Sequence, residues 1–195
     1  TLMSVAPGTV AILAGGQQLI PTGLVLAPGR WHHIFVERSL RNITTLLVDD
    51  QAISLGAVNA VQLGGSYTSI EHTSVGGDGT FDVPSGDLNG VVDDLTLMDA
   101  TTRAVIERWT FDEGRGATTR GVNGGVLQLG HTGWVADDRR VEDHDGGNSA
   151  LGFDGSTANA STPKGNPAVT QTENLGVAFQ ARFNGASASD GHQTL

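Results

Sequence analysis

Residues 175–183, Leu-Gly-Val-Ala-Phe-Gln-Ala-Arg-Phe, decide the fold class. Val177, Phe179, Ala181 and Phe183 recur at every second position, with Gln180 and Arg182 between them. Successive side chains of an extended chain point to opposite faces, so this stretch is a strand with one apolar face. The same texture extends outward. Residues 31–37 (WHHIFVE) follow a Pro-Gly turn at 28–29. Residues 43–49 (ITTLLVD) are rich in β-branched side chains, and Asp49-Asp50-Gln51 reads as a hairpin turn into residues 52–55. Residues 11–14, 24–27, 61–64, 91–98, 105–111, 125–129, 133–135 and 150–153 are further strand candidates between Gly-, Asn- and Asp-containing turns. The best helix candidate is a single turn at residues 101–103, with Asp99 as its cap. Many short strands with no sustained helical period indicate a β-sandwich or barrel.

Composition bounds the function. The 195 residues suffice for one domain or two small ones with a real core. Glycine, at 28 residues, works against long helices. The net charge of −10 argues against a phosphate-binding, nucleic-acid-directed surface and suits an exported or cation-binding protein. There is no cysteine, which excludes disulfides, thiolate metal sites and cysteine nucleophiles. Apolar runs are only a few residues long, against the ~20 that span a bilayer, so no membrane insertion is expected. The first residues, Thr-Leu-Met-Ser-Val, do not read as a signal peptide, so the signal of an exported protein would lie outside this sequence.

Five segments resemble the laminin-G-like, concanavalin A-like jelly-roll family. Gly29-Arg30-Trp31-His32-His33-Ile34 is similar to its G-x-W-H-H-[IV] strand. Thr45-Leu46-Leu47-Val48-Asp49-Asp50 is similar to its L-x-L-Y-V-D-G hairpin, with Asp50 where Gly is usual. Asn89-Gly90-Val91-Val92-Asp93-Asp94-Leu95 resembles the G-x-[IV]-D-[DE]-[VL] strand near the end of such a domain. Trp109-Thr110-Phe111-Asp112-Glu113-Gly114-Arg115-Gly116 resembles the F-D-E-G-x-G strand that opens one, and Ala150-Leu151-Gly152-Phe153-Asp154-Gly155-Ser156 its A-L-x-F-D-G-S strand. The resemblance implies an all-β, antiparallel two-sheet jelly-roll sandwich.

The order of these segments is inverted. Residues 1–106 look like the C-terminal half of such a sandwich and residues 107–195 like its N-terminal half. His192-Gln193-Thr194-Leu195 followed by Thr1-Leu2-Met3-Ser4-Val5 reads as one continuous strand, and Thr-Leu occurs at both ends. Three explanations compete: a circular permutation, a window from a tandem array, or a protomer completed by a neighbour's half. The last two rank above the first, because an array or an exchanged half covers a strand edge that would otherwise invite aggregation.

Strict alternation puts Val91, Asp93, Leu95 and Leu97 on one face of a strand and Val92, Asp94, Thr96 and Met98 on the other. A carboxylate in an apolar row needs a cation or donors. The resemblance implies a structural Ca²⁺ there, held by Asp93 with Asp112 and Gly155 as further contributors, and hard oxygen ligands suit that ion. The competing reading has Asp93 accepting backbone N–H groups or pairing with Arg. Gly77-Asp78-Gly79 with Asp82 and Asp87 reads better as a solvated loop than as a second ion site, and so do the acidic runs at 137–138 and 142–145. His32 and His33 point to opposite faces and cannot chelate one ion together; the resemblance makes one a hydrogen-bonded core residue and the other outward.

Catalysis finds no support in the sequence. The E-x-D-x-x-E pattern of related glycanases, which sets two carboxylates about 5 Å apart, is missing, as are a G-x-S-x-G elbow, an HExxH helix and a P-loop. Trp31, Trp109 and Trp134 are expected in the core, which leaves Tyr67 as the best aromatic for a ligand. Asn42 and Asn159 begin glycosylation sequons. The expected function is a non-catalytic, extracellular or cell-surface adhesion or structural module, partnered with copies of itself and with a glycan or extracellular protein. The alternative is a calcium-dependent carbohydrate-binding domain, with Tyr67 and the 73–90 loop as its site.

Overall fold

The computed structural model describes residues 2–5, 9–14, 18–39, 42–53, 74–76, 88–137, 149–155, 158–163, 174–184 and 192–194. Its first strands are β1 (Leu2–Val5), β2 (Thr9–Ala14), β3 (Gln18–Val25), β4 (Trp31–Ser39), β5 (Asn42–Val48) and β6 (Gln51–Ala52). Then come β7 (Ser74–Val75), β8 (Asn89–Asp99), β9 (Val105–Trp109), β10 (Thr118–Arg120) and β11 (Val126–Gly130). The chain continues through β12 (Gly133–Ala136), β13 (Ser149–Asp154), β14 (Asn159–Ser161), β15 (Asn174–Phe183) and β16 (His192–Thr194). There is no helix among the described residues. The strand candidate at 61–64 lies outside them.

The largest sheet runs β12-β13-β8-β15-β4-β5-β6, with β9 added beside β8. A second runs β10-β11-β14-β7, and β16-β1-β2-β3 form a third ladder. The strand ladders are antiparallel throughout. The first two sheets close over one core: Ile34, Leu46, Val92, Leu95, Leu97, Trp109, Leu151, Phe153, Phe179 and Phe183 from one meet Leu127 and Ala160 from the other. The fold is therefore an all-β antiparallel sandwich. The alternating residues of β15 behave as their spacing requires, since Phe179, Ala181 and Phe183 are buried and Gln180 and Arg182 are not fully so.

Strands from either side of residue 106 interleave in the largest sheet. β8 lies between β13 and β15, and β15 between β8 and β4. The runs at the two ends of the sequence lie side by side, β16 antiparallel to β1 with Met3 opposite Thr194, instead of in line as one strand.

Three local features depart from simple alternation or strand rules. Residues 99–103 make one helix-like turn and no more: Asp99 O accepts the N–H of Arg103 at 2.8 Å, and Asp99 Oδ1 caps the N–H groups of Thr101 at 2.9 Å and Thr102 at 2.7 Å. Arg103 then takes a left-handed φ of 63°, which a helix would not continue. The Asp49-Asp50 turn joins Val48 to Gln51 with φ of 50° and 63°, the twist of a two-residue hairpin loop.

The third is a bulge in β8. Thr96 pairs with Ala178 and Asp93 with Gln180, so three steps on β8 match two on β15. Asp94 absorbs the extra residue at a φ of 53°. The predicted apolar row therefore breaks: Val92 packs into the main cluster together with Leu95 and Leu97, while Val91, 4% exposed, is buried outside that cluster. Asp93 and Asp94, between the two core positions Val92 and Leu95, fall on the opposite side.

Candidate functional site

The bulge sits where β8 changes partners along one flank. β13 pairs with residues 89–92 and β9 with residues 95–98, so Asp93 and Asp94 occupy the break between them. Asp93 is 3% exposed, and its Oδ1 accepts the N–H of Asp94 at 2.8 Å. Asp94 Oδ1 accepts from Arg108 Nη2 at 3.0 Å, which ties the bulge to β9. Across the sheet, Asp93 stands opposite Gln180, and Gln180 opposite His33.

The other residues of the expected calcium set lie in different places. Asp112 is half-buried in the turn that leaves β9, directly after Phe111, whose φ is 54°. Gly155 follows β13 at a φ of 76°, with its N–H donated to Leu88 O at 2.9 Å. Its neighbour Asp154 pairs with Asn89, four residues from Asp93 along β8, which at ~3.3 Å per residue is about 13 Å. An ion on Asp93 would therefore draw its further oxygens from nearer groups than Gly155. Among the described residues, no three His, Asp or Glu side chains converge in a way that could hold a metal. Tyr67 lies outside the described residues, as does most of the 73–90 loop.

The histidine pair divides by face. His32 is buried, with Nδ1 at 2.9 Å from Asp49 Oδ2 and Nε2 at 3.3 Å from Ala27 O. Asp49 Oδ1 also accepts the N–H of His33 at 3.0 Å. Burial pushes the Asp49 carboxyl up, but the His32 and His33 hydrogen bonds and the His32 and Arg30 charges outweigh it and hold the group below its ordinary value. His33 turns outward, with Nδ1 3.6 Å from Asp50 Oδ1. This arrangement pins the β5–β6 turn to β4 and leaves His32 no ring nitrogen for chemistry.

The aromatics divide differently from expectation. Trp109 is fully buried and donates Nε1–H to Gly125 O at 3.1 Å. Trp134 packs partly against the core and donates to Gly116 O at 2.9 Å. Trp31 is not a core residue. It stands three residues before core Ile34 and so on the alternate face of β4, half-buried, with the Arg182 guanidinium 5.5 Å from its ring centre. Phe35, four residues on along the same face, carries Arg103 in the same way at 5.7 Å. This face of the sheet thus bears cation-covered aromatics beside Glu37, which pairs with Arg103 at 3.2 Å. Asn159 is 8% exposed within β14.

Sequence reasoning missed Glu107, a buried carboxylate on β9. Its signal was the glycine density at 121, 124 and 125, which reads as a plain hairpin tip until an acid is placed inside it. Compared with family models, curated proteins and solved structures, the chain finds no match in any of the three.

Proposed function

We propose that this chain is a laminin-G-like jelly-roll module that acts without catalysis, outside the cell or at its surface, in adhesion or structure. It would be a repeat unit whose sandwich is completed by an adjacent unit or copy. Within this chain the two portions already close on each other, with β8 between β13 and β15; what supports exchange is that each portion carries edges only the other covers. Residues 1–106 alone would leave β8 without β13 and β15, and residues 107–195 alone would leave β15 without β8 and β4. Each portion would then expose long unpaired edges, and each is the natural cover for the other's. Portions of that kind can be supplied within one chain or across two. The test is solution mass by light scattering over a concentration series. Dimers or polymers that grow with concentration support exchanged portions; a monomer at every concentration removes that part of the proposal.

The second reading is a calcium-dependent carbohydrate-binding domain. His33 and Gln180 share the face of the large sheet turned from its core and suit sugar hydroxyls, while Arg182 and Arg103 lie over Trp31 and Phe35 there, so Tyr67 and the 73–90 loop remain the stacking site of this reading. A glycan array with and without Ca²⁺ separates the two readings. Calcium-dependent binding selects the lectin, and silence leaves the structural module. For the ion itself, Ca²⁺ should raise Tm in wild type and leave Asp93→Asn unmoved. A wild-type Tm indifferent to Ca²⁺ and chelator removes calcium from the proposal.

A further inference from the structure

We propose that the β10–β11 tip, residues 121–125, is a carboxylate-binding site whose resident ligand is the chain's own Glu107, and that this latch fixes the second sheet to strand β9 of the first. Glu107 pairs across from Leu97, and Trp109 across from Leu95, so Glu107 sits on the face of β9 that turns to the core. A carboxylate 4% exposed on such a face requires donors. The backbone supplies them. Oε1 accepts the N–H of Asn123 at 2.8 Å and of Arg108 at 3.0 Å, and Oε2 accepts the N–H of Gly125 at 2.6 Å. Converging backbone amides bind anions without a cationic side chain, and bonds to an ionised acceptor are among the stronger ones.

The glycines follow from the occupant. A Cβ on Gly121 would lie 2.3 Å from Glu107 Oε1, and one on Gly125 would lie 2.5 Å from Oε2. The tip is also closed on itself: Gly121 donates to Gly125 O at 2.7 Å and Gly124 to Gly121 O at 3.0 Å. Three more bonds stitch it to β9. Val122 N–H reaches Arg108 O at 2.9 Å, Asn123 Nδ2 reaches Ile106 O at 2.9 Å, and Trp109 Nε1 reaches Gly125 O at 3.1 Å. Every residue from 106 to 109 thus bonds to the tip, with the carboxylate at the centre. Because β10 and β11 belong to the second sheet and β9 to the first, the latch is a corner staple of the sandwich.

A pair of substitutions isolates the site. The three atoms nearest a Cβ on Gly121 all belong to Glu107. Gly121→Ala in wild type should therefore lower Tm by about 5–10 °C. In a Glu107→Ala background the same change should cost nothing further, since the atoms it strikes are gone. Glu107→Ala also empties the nest. Sodium formate should then raise the Tm of that variant saturably above sodium chloride at equal ionic strength, and leave wild type unmoved. Equal cost of Gly121→Ala in both backgrounds, or superimposed formate and chloride curves, would overturn the assignment. Should Glu107→Ala not fold, Glu107→Gln keeps the volume but sets an amide NH₂ against an N–H donor. It should melt well below wild type, and a wild-type Tm for Glu107→Gln would equally overturn the latch.

Discussion

Replacing Asp49 by Asn tests how the two halves of the family-like signature, the W-H-H strand and the V-D-D turn, hold each other. Asn tolerates the left-handed φ of 50° at this position, so the backbone of the turn is not put at risk. The carboxylate now accepts from the His32 ring at 2.9 Å and from the His33 N–H at 3.0 Å. A carboxamide has one oxygen and can serve only one of them; the other donor faces an NH₂. Losing a backbone bond costs ~1 kcal/mol, and stranding a ring N–H of a buried histidine ~1–2 kcal/mol. The Asp49 side chain is 40% exposed, so solvent screening trims the charge-assisted part. The expected loss is ~2 kcal/mol at neutral pH, which for a chain of this size lowers Tm by about 4–8 °C. The pH dependence carries the sign. The folded carboxyl lies below its unfolded value of 3.8, so its contribution is complete above that value and is lost as pH falls through the folded one, beneath 3.8. Urea unfolding of wild type and Asp49→Asn from neutral pH downward should show a constant gap that narrows only in that acid window. A gap under ~0.5 kcal/mol at neutral pH, or one that widens below pH 3.8, would refute the reasoning.

Gly76→Ala should cost ~3 kcal/mol in urea unfolding, because its Cβ would lie 2.2 Å from Phe153 Cδ1 at a backbone φ of 88°. Asp50→Gly should gain ~0.5 kcal/mol in thermal unfolding, since the second turn position holds a φ of 63° that glycine adopts without strain; a loss of Tm would show that the His33 contact matters more. In a glycosylating host, peptide mapping should find Asn159 unmodified, because it is 8% exposed inside a strand. Occupancy at Asn159 would mean that β14 is not formed when the sequon is read.

Much of the fold was legible because period-two patterning survives wherever a strand stays regular. Residues 175–183, 31–37 and 43–49 became β15, β4 and β5, since β-branched and aromatic side chains on alternate positions have one way to be buried in a sheet. The pairing of strands distant in sequence was not legible from spacing: nothing in residues 149–154 says that they lie against 89–92. The single turn at 99–103 was legible because Asp99 is a capping residue, and it stops after one turn because Arg103 is left-handed. Trp31 was misplaced. Its side is fixed by the burial of Ile34, three residues on, and an apolar residue on the solvent side of a strand looks no different in sequence from one inside.

The acidic pair at 93–94 shows how one irregular residue carries several consequences. β8 must leave β13 and take up β9 along the same flank, and the break between those partners falls at these two positions. An extra residue there turns the strand without interrupting its pairing to β15 on the other flank, provided one residue accepts a positive φ, and Asp does so at lower cost than a branched side chain. The same Asp94 then holds Arg108, so the residue that permits the bulge also anchors the strand that ends beside it. Alternation read through this point assigns Asp93 to the wrong face, which is why its burial looked like a core charge in need of an ion. The bulge gives both carboxylates an architectural task that a regular strand would not require, and any ion bound at Asp93 would act on a joint already shaped by the backbone.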